Sequence, residues 1–142
     1  MQLYSESPNT SVSIEVWGSG APMREFLWSE EMADACVFIM ENTDFKDITS
    51  LHVMNENKEV VNKEIRNTHI NIGTGKEISI RELAELIKKI VGFKGELIFN
   101  SSKPDGTMRK LTDVSRLHSL GWHHKIEIEE GVKKMYEWYL KG

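Results

Sequence analysis

The sequence is short of cysteine, of excess positive charge and of long apolar runs. Its 142 residues include a single cysteine, Cys36, so neither an intramolecular disulfide nor a multi-cysteine metal site can form. A reducing cytoplasm is the expected setting. Cations are outnumbered: 18 Lys+Arg stand against 22 Asp+Glu, a formal net charge of -4. Nucleic acids and anionic membranes are bound by clustered cations that displace counterions, so this balance argues against both as partners. No apolar run reaches the roughly 18 residues of a membrane span, and the opening MQLYSESPNTS has neither the basic nor the apolar part of a signal peptide. Internal repeats and low-complexity segments are also missing. What is present is an ordinary globular mixture, 39% hydrophobic and 28% charged, on a chain long enough for one domain with a real core or for part of something larger.

Residues 1–11 are polar and without period, and read as a loose leader or the end of a truncated element; residues 12–142 read as one domain. Val12, Ile14 and Val16 alternate with polar neighbours, predicting a strand over 12–17 that stops at Gly18-Ser19-Gly20-Ala21-Pro22. Ser29 is placed to cap a helix over 30–40 whose apolar face would be Met32, Cys36, Ile39 and Met40. The stretch from Thr43 to Asn67 defines no single element. His69–Ile72 predicts a short strand running into the turn Gly73-Thr74-Gly75. Ser79 and Glu82 then form a capping box for a helix ended by Gly92, with Ile80, Leu83, Ala84, Ile87, Ile90 and Val91 as its buried stripe. A strand over 95–99, a loop over 101–108 and a short helix capped by Asp113 follow. A final helix over 127–140 would pack Ile128, Val132, Met135, Tyr136 and Tyr139. The expected fold class is a small α/β domain of about three helices and a few short strands.

Most candidate constellations have structural explanations. The Gly73-Thr74-Gly75 turn follows a predicted strand and precedes a helix, but Ile78 stands where a dinucleotide fingerprint needs its third glycine, so a tight turn is the better reading. His118, His123 and His124 lack any metal-binding spacing and read as a solvated face. Cys36 falls on an apolar helix face, where burial is the default, and the acid pairs Glu30/Glu31 and Glu129/Glu130 suit helix starts.

Two segments resist this treatment: Trp17-Gly18-Ser19-Gly20-Ala21-Pro22-Met23-Arg24-Glu25-Phe26, and Ser101-Ser102-Lys103-Pro104-Asp105-Gly106-Thr107-Met108-Arg109-Lys110. Arginine offers a planar fork to diphosphate oxygens and lysine adds charge. Tryptophan gives a flat face for a base or sugar, and aspartate accepts from hydroxyl or ring N–H donors. The two segments could form a nucleotide-sugar clamp, or two salt-bridged surface loops with Trp17 in the core.

These segments, with H-I-N-I-G-T-G (69–75), D-V-S-R-L…L-G-W (113–122) and I-E-I-E-E-G-V-K-K-M-Y-E-W-Y-L (126–140), resemble the C-terminal, substrate-binding part of the GDP-L-fucose synthase family. Its members are NADP-dependent epimerase/reductases among the extended short-chain dehydrogenases, the NAD-dependent epimerase/dehydratases. They epimerise GDP-4-keto-6-deoxy-D-mannose at C3 and C5 and reduce C4 with NADPH. The resemblance implies that Trp17, Arg24 and Asp105 contact the GDP-sugar and that Lys110, with Arg109, faces the diphosphate. It also implies that the catalytic Ser, the Tyr-x-x-x-Lys pair and the NADP site belong to an N-terminal Rossmann domain absent from this sequence. The chain alone is therefore expected to be inactive and to need that domain as its partner, with self-association as a consequence of the apolar surface left uncovered. The sequence departs from the family at Trp28, where His is usual, and over 43–68. Two alternatives are a portion of an enzyme acting on UDP- or dTDP-sugars, and a non-catalytic interaction module.

Overall fold

The computed structural model of the protein describes residues 12–50 and 67–142. The expected leader, 1–11, lies outside them, as does 51–66. In chain order the elements are β1 (Ser13–Trp17), β2 (Met23–Arg24), α1 (Ser29–Asn42), α2 (Phe45–Ser50), β3 (Ile78–Ser79), α3 (Ile80–Val91), β4 (Glu96–Asn100), β5 (Arg109–Lys110), α4 (Ser115–Ser119) and α5 (Ile128–Lys141). This is the expected small α/β fold. The three expected longer helices are α1, α3 and α5, α4 is the expected short helix after Asp113, and α2 is a short addition. The described residues group into two compact units: 12–24 with Glu77–Lys110 and Glu129–Gly142, and 25–50 and 67–76 with Leu111–Ile128.

The first unit is built on two small sheets. β1 runs parallel to β4, with Ser13 opposite Glu96 and Trp17 opposite Asn100. In the second sheet β2 is central, antiparallel to β3 and parallel to β5. α3 lies between β3 and β4 in the chain and obeys its local signals. The Ser79 hydroxyl accepts from the Glu82 amide (3.1 Å), the Glu82 carboxylate accepts from the Ser79 amide (3.0 Å), and Gly92 closes the helix in the left-handed region. α5 is anchored less than its sequence suggests. Val132 and Tyr136 are half-buried, but Met135 and Tyr139, expected to pack with them, are exposed.

The second unit holds the fully buried side chains. Ala35, Leu117 and Trp122 form its centre, with Leu27, Phe38, Ile39, Ile70 and Ile72 packed around it. Two polar contacts tie the segments around this centre: the Trp122 indole donates to Asp34 (2.8 Å), and Glu31 accepts from the Ile126 amide (3.1 Å). Four expectations are corrected here. α1 turns Ala35, Phe38 and Ile39 inward, an equally good helical stripe, and leaves Met32, Cys36 and Met40 exposed. Ser29 is the first helical residue, not the cap; the cap position belongs to Trp28, whose indole donates to the Glu30 carboxylate (3.1 Å) and makes no capping bond to the helix backbone. Residues 69–72 form no ladder. Their alternation is real, because Ile70 and Ile72 both pack on the core, but the segment's register is set by Asn71, which donates to the Asp113 carbonyl (3.0 Å). Asp113 does receive the Ser115 amide (3.0 Å), from one residue before the N-cap, Val114.

The histidine segment of this unit is expected to make stability sensitive to acid. The His118 and His123 rings stack with centroids 4.2 Å apart, and His118 Nε2 is buried without a hydrogen bond. Burial, and then the electrostatic influence of the neighbouring His123 and His124 imidazoles, hold His118 below its ordinary value of 6.5. A depressed value means the unfolded chain binds this proton first, so stability falls as pH drops from about 6.5 through the folded value and then levels. Thermal midpoints taken at about pH 7.5 and about pH 5.5 should fall further in the wild type than in His118→Phe. Equal falls would refute this account.

Candidate functional site

β1 ends on Trp17, and the chain turns sharply through Gly18. The Gly18 amide extends the β1–β4 ladder by donating to Asn100 (3.0 Å), while its φ of 90° lies where side chains are strained. A Cβ there would stand 2.4 Å from the Asp105 carboxylate. The next residue, Ser19, binds that carboxylate twice, its amide donating to Oδ1 (2.8 Å) and its hydroxyl to Oδ2 (2.6 Å). The hydroxyl and then the amide of Ser19 hold the Asp105 carboxyl below the usual carboxylate range. On its other side Ser19 offers its carbonyl to Arg81 Nη2 (2.7 Å), and the Arg81 guanidinium lies 3.7 Å over the Phe99 ring. Asn100 organises the root of the 101–108 loop: its Oδ1 accepts from the Ser102 amide (3.0 Å) and hydroxyl (2.6 Å), and its Nδ2 donates to Glu15 (3.1 Å).

Trp17 is 71% exposed. The alternative that placed it in the core is therefore overturned, and the indole stands as an open face. Lys103 Nζ lies 5.2 Å from its ring centroid, so the loop already brings a cation to the aromatic surface. The other cations are placed by β2 and β5. Arg24 is the register partner of Lys110, and Met23 that of Arg109. Strand partners share a face and successive residues alternate, so Arg24 and Lys110 stand side by side about 4.8 Å apart at the backbone, and Arg109 points the other way. Arg109 is engaged there, its Nε facing both Glu77 carboxylate oxygens (2.8 and 3.0 Å). Arg24 donates Nη1 to its neighbour's carbonyl, Met23 O (2.6 Å), which leaves the rest of the fork for a ligand. Lys110 is exposed and forms no ion pair among the described residues. Trp17, Arg24, Asp105 and Lys110 thus share one unit with Arg109, and Arg109 is turned to a separate partner.

The sequence reading missed Ser19 and Arg81, whose partners are far away in the chain, Asn100, which joins nearby Ser102 to distant Glu15, and Glu25. In the second unit the Glu25 carboxylate fills the Gly73-Thr74-Gly75 turn. Oε1 accepts from the Thr74 amide (2.6 Å), the Gly75 amide (2.6 Å) and the Thr74 hydroxyl (3.2 Å), and Oε2 from the Thr112 amide (3.1 Å). Any side chain on Gly73 would stand 2.6 Å from Glu25 Oε1. Burial raises the Glu25 value, but hydrogen bonds from Thr112, Gly75 and Thr74 outweigh it and leave the carboxyl below its ordinary 4.5. This turn is an anion nest already supplied with its anion. It does not fit the pyrophosphate of a dinucleotide cofactor, because the amides that would hold a phosphate are committed to Glu25.

Among the described residues no group of three or more His, Cys, Asp or Glu could hold a metal ion, and no helix is long and apolar enough to cross a membrane. One unit therefore carries an exposed tryptophan at the end of β1 and two same-face cations on β2 and β5, a stacking surface and a pair of positive charges. The model of the NAD dependent epimerase/dehydratase family matches residues 2–73, half of the chain, and the chain belongs to that family.

Within the family its resemblance is to GDP-sugar enzymes, of which it corresponds to the C-terminal portion. It is 44% identical to the GDP-L-fucose synthase of Escherichia coli (strain K12) over 141 residues, covering 99% of this chain and 40% of that one. Among solved structures it is similar to a GDP-6-OMe-4-keto-L-xylo-heptose reductase from C. jejuni, with 50% identity, a TM-score of 0.77, and coverage of 91% of this chain and 34% of that one. A GDP-D-glycero-L-gluco-heptose synthase from Campylobacter jejuni, solved in the presence of NADPH, gives 48% identity, a TM-score of 0.75, and coverage of 90% and 33%. The chain thus spans well under half the length of the relatives it matches.

Proposed function

We propose that residues 12–142 form the GDP-sugar-binding portion of an NADP-dependent epimerase/reductase of the GDP-L-fucose synthase type. The observation that carries this is the Arg24–Lys110 register pair on one face of the β2–β5 sheet, in the same unit as the open indole of Trp17. A diphosphate between a base and a sugar needs two adjacent cations, and the guanidinium fork supplies parallel donors while the ammonium adds charge. Trp17 provides a stacking face, and Asp105 an acceptor for sugar or base donors.

In the whole enzyme the 4-keto-6-deoxy-mannose moiety would be epimerised at C3 and C5. Hydride from NADPH would then add to C4 and a proton to its oxygen, giving the alcohol and NADP+. We assign those steps to the partner Rossmann portion, since no Tyr-x-x-x-Lys pair occurs in these 142 residues and the Gly73-Thr74-Gly75 turn is filled by Glu25. The contribution of this chain is to bind and orient. A second reading of the sugar has its own support: the solved structures that are 48–50% identical are named for GDP-heptose chemistry, so the ring bound beyond the diphosphate would be a GDP-4-keto-heptose.

Partner and location follow from the surface. Ile14 and Ile98 on the parallel β1–β4 pair, and Trp138, Tyr139 and Leu140 on α5, are exposed. Parallel strands are normally covered on both faces, so these surfaces suit packing against the Rossmann portion and, without it, self-association. The exposed thiol of Cys36 suits a reducing cytoplasm. Calorimetry on the 142-residue chain should show tighter binding of GDP than of UDP. The reverse order would reject the GDP assignment, and NADPH oxidation by this chain alone would reject the division of labour.

A further inference from the structure

We propose that Ser19 is a positioning residue for the diphosphate clamp: its paired hydrogen bonds to Asp105 latch the 101–108 loop down on Arg24. The proposal deepens the reading of Arg24 and Lys110 as diphosphate ligands and rests on it.

The loop is exposed along its whole length. It is fixed at its root, where Lys103 N donates to Asn100 O (3.1 Å), and at its end, where Met23 N donates to Met108 O (2.8 Å). Between these anchors, among the described residues, the hydrogen bonds tying it to another segment are those from Ser19 to Asp105. They engage both oxygens, so they fix the rotation of the carboxylate as well as its place. Each oxygen keeps a second lone pair for a ligand donor, so the latch does not compete with substrate.

The turn carrying Ser19 is itself held. Arg81, on the first turn of α3, takes the Ser19 carbonyl through Nη2 and the Gly20 carbonyl through its amide (2.9 Å), and its guanidinium lies over Phe99. The Ser19 hydroxyl meanwhile accepts from the Ala21 amide (3.1 Å). On the loop side, Arg24 Nη2 lies 3.2 Å from where a Cβ on Gly106 would stand, so the loop residue beside Asp105 is a near neighbour of the guanidinium and a side chain there would crowd it. The mechanical chain runs from α3 to Ser19, to Asp105, to Gly106, to Arg24. Without it the loop and the guanidinium must be ordered when ligand arrives, and that entropy is subtracted from binding. The same two bonds, the hydroxyl's first and then the amide's, favour the ionised carboxylate of Asp105 and lower its pKa.

Ser19→Ala removes the hydroxyl bond and Ser19→Thr keeps it. In the 142-residue chain, carbon-detected NMR titration of the Asp105 carboxyl needs no ligand. The latch predicts a value below 3.8 in the wild type, a rise toward it in Ser19→Ala, and restoration in Ser19→Thr. An unchanged titration in Ser19→Ala overturns the latch. By calorimetry with GDP as probe, Ser19→Ala should bind roughly tenfold more weakly and Ser19→Thr within about twofold of wild type. Equal affinity of Ser19→Ala and wild type overturns the positioning role. Failure of the wild type to bind GDP overturns the diphosphate reading instead and with it the positioning role, while the titration still judges the contact. Should Ser19→Ala not fold, Asp105→Asn, with its charge removed and its shape kept, carries the same tenfold expectation and is overturned by the same result.

Discussion

Glu25→Ala is expected to lower the unfolding free energy by about 2–4 kcal/mol, read as a shift in the urea midpoint. The wild-type carboxylate accepts from the amides of Thr74, Gly75 and Thr112. Truncation leaves these donors without their acceptor in a partly buried turn, and each lost bond to a charged group is worth more than a neutral one. Glu25→Gln should cost less, since one oxygen remains for the Thr74 and Gly75 amides, but its NH2 group would then face the Thr112 amide, donor against donor. The pH dependence separates charge from shape. The folded value lies below the ordinary 4.5, so the charge contribution is complete above about that pH and is lost as pH falls through the folded value. The gap between wild type and Glu25→Gln should therefore narrow in acid. A gap that stays constant down to about pH 3 would show that shape alone matters.

Loss of the cation pair should act on binding and spare the fold. Arg24→Ala is expected to weaken GDP about 10- to 100-fold, as removal of a charge-assisted fork does, and Lys110→Ala about 3- to 10-fold. Arg24→Lys should recover little, because an ammonium cannot span two oxygens. Arg109→Ala is the internal control. Its side chain is on the opposite face and engaged by Glu77, so GDP affinity should stay within about twofold and stability should change by less than about 1 kcal/mol. Equal losses for Arg109→Ala and Arg24→Ala would show that the alternation of β5 does not govern the site. The affinity of the wild type should also fall with added salt more steeply than that of the double variant Arg24→Ala/Lys110→Ala.

What could be read in advance was local. The capping box Ser79/Glu82 and the left-handed Gly92 act within a few residues of themselves, and α3 starts and stops where they say. The cations and the tryptophan were legible as chemistry, because their side chains suit a diphosphate and a ring whatever the fold. What escaped was every contact with a long chain separation. Glu25 reads as a neighbour for Arg24 and acts on a turn 49 residues away. Ser19 reads as part of a flexible turn and binds Asp105 across 86 residues. The inward face of α1 was misjudged for a different reason. Met32, Cys36, Ile39 and Met40 outrank Ala35 in size, yet a small residue lets the helix approach Leu117 and Trp122, and close packing decided the rotation. Exposed Met135 and Tyr139 on α5 follow the same rule in reverse: an apolar stripe announces that a surface can be buried, and only the neighbours present decide whether it is.

The parallel register of β1 and β4 works as a ruler. Because Trp17 stands opposite Asn100, the end of one strand and the departure of the 101–108 loop from the other are set at the same height. One residue gained or lost within β4 would move the loop root by about 3.3 Å and swap its faces, carrying Asp105 out of reach of Ser19. The same change within the exposed loop would be absorbed locally. Length variation in descendants of this sequence should therefore be tolerated in the loop and purged from the strand, although the strand carries none of the ligand-facing side chains of the loop.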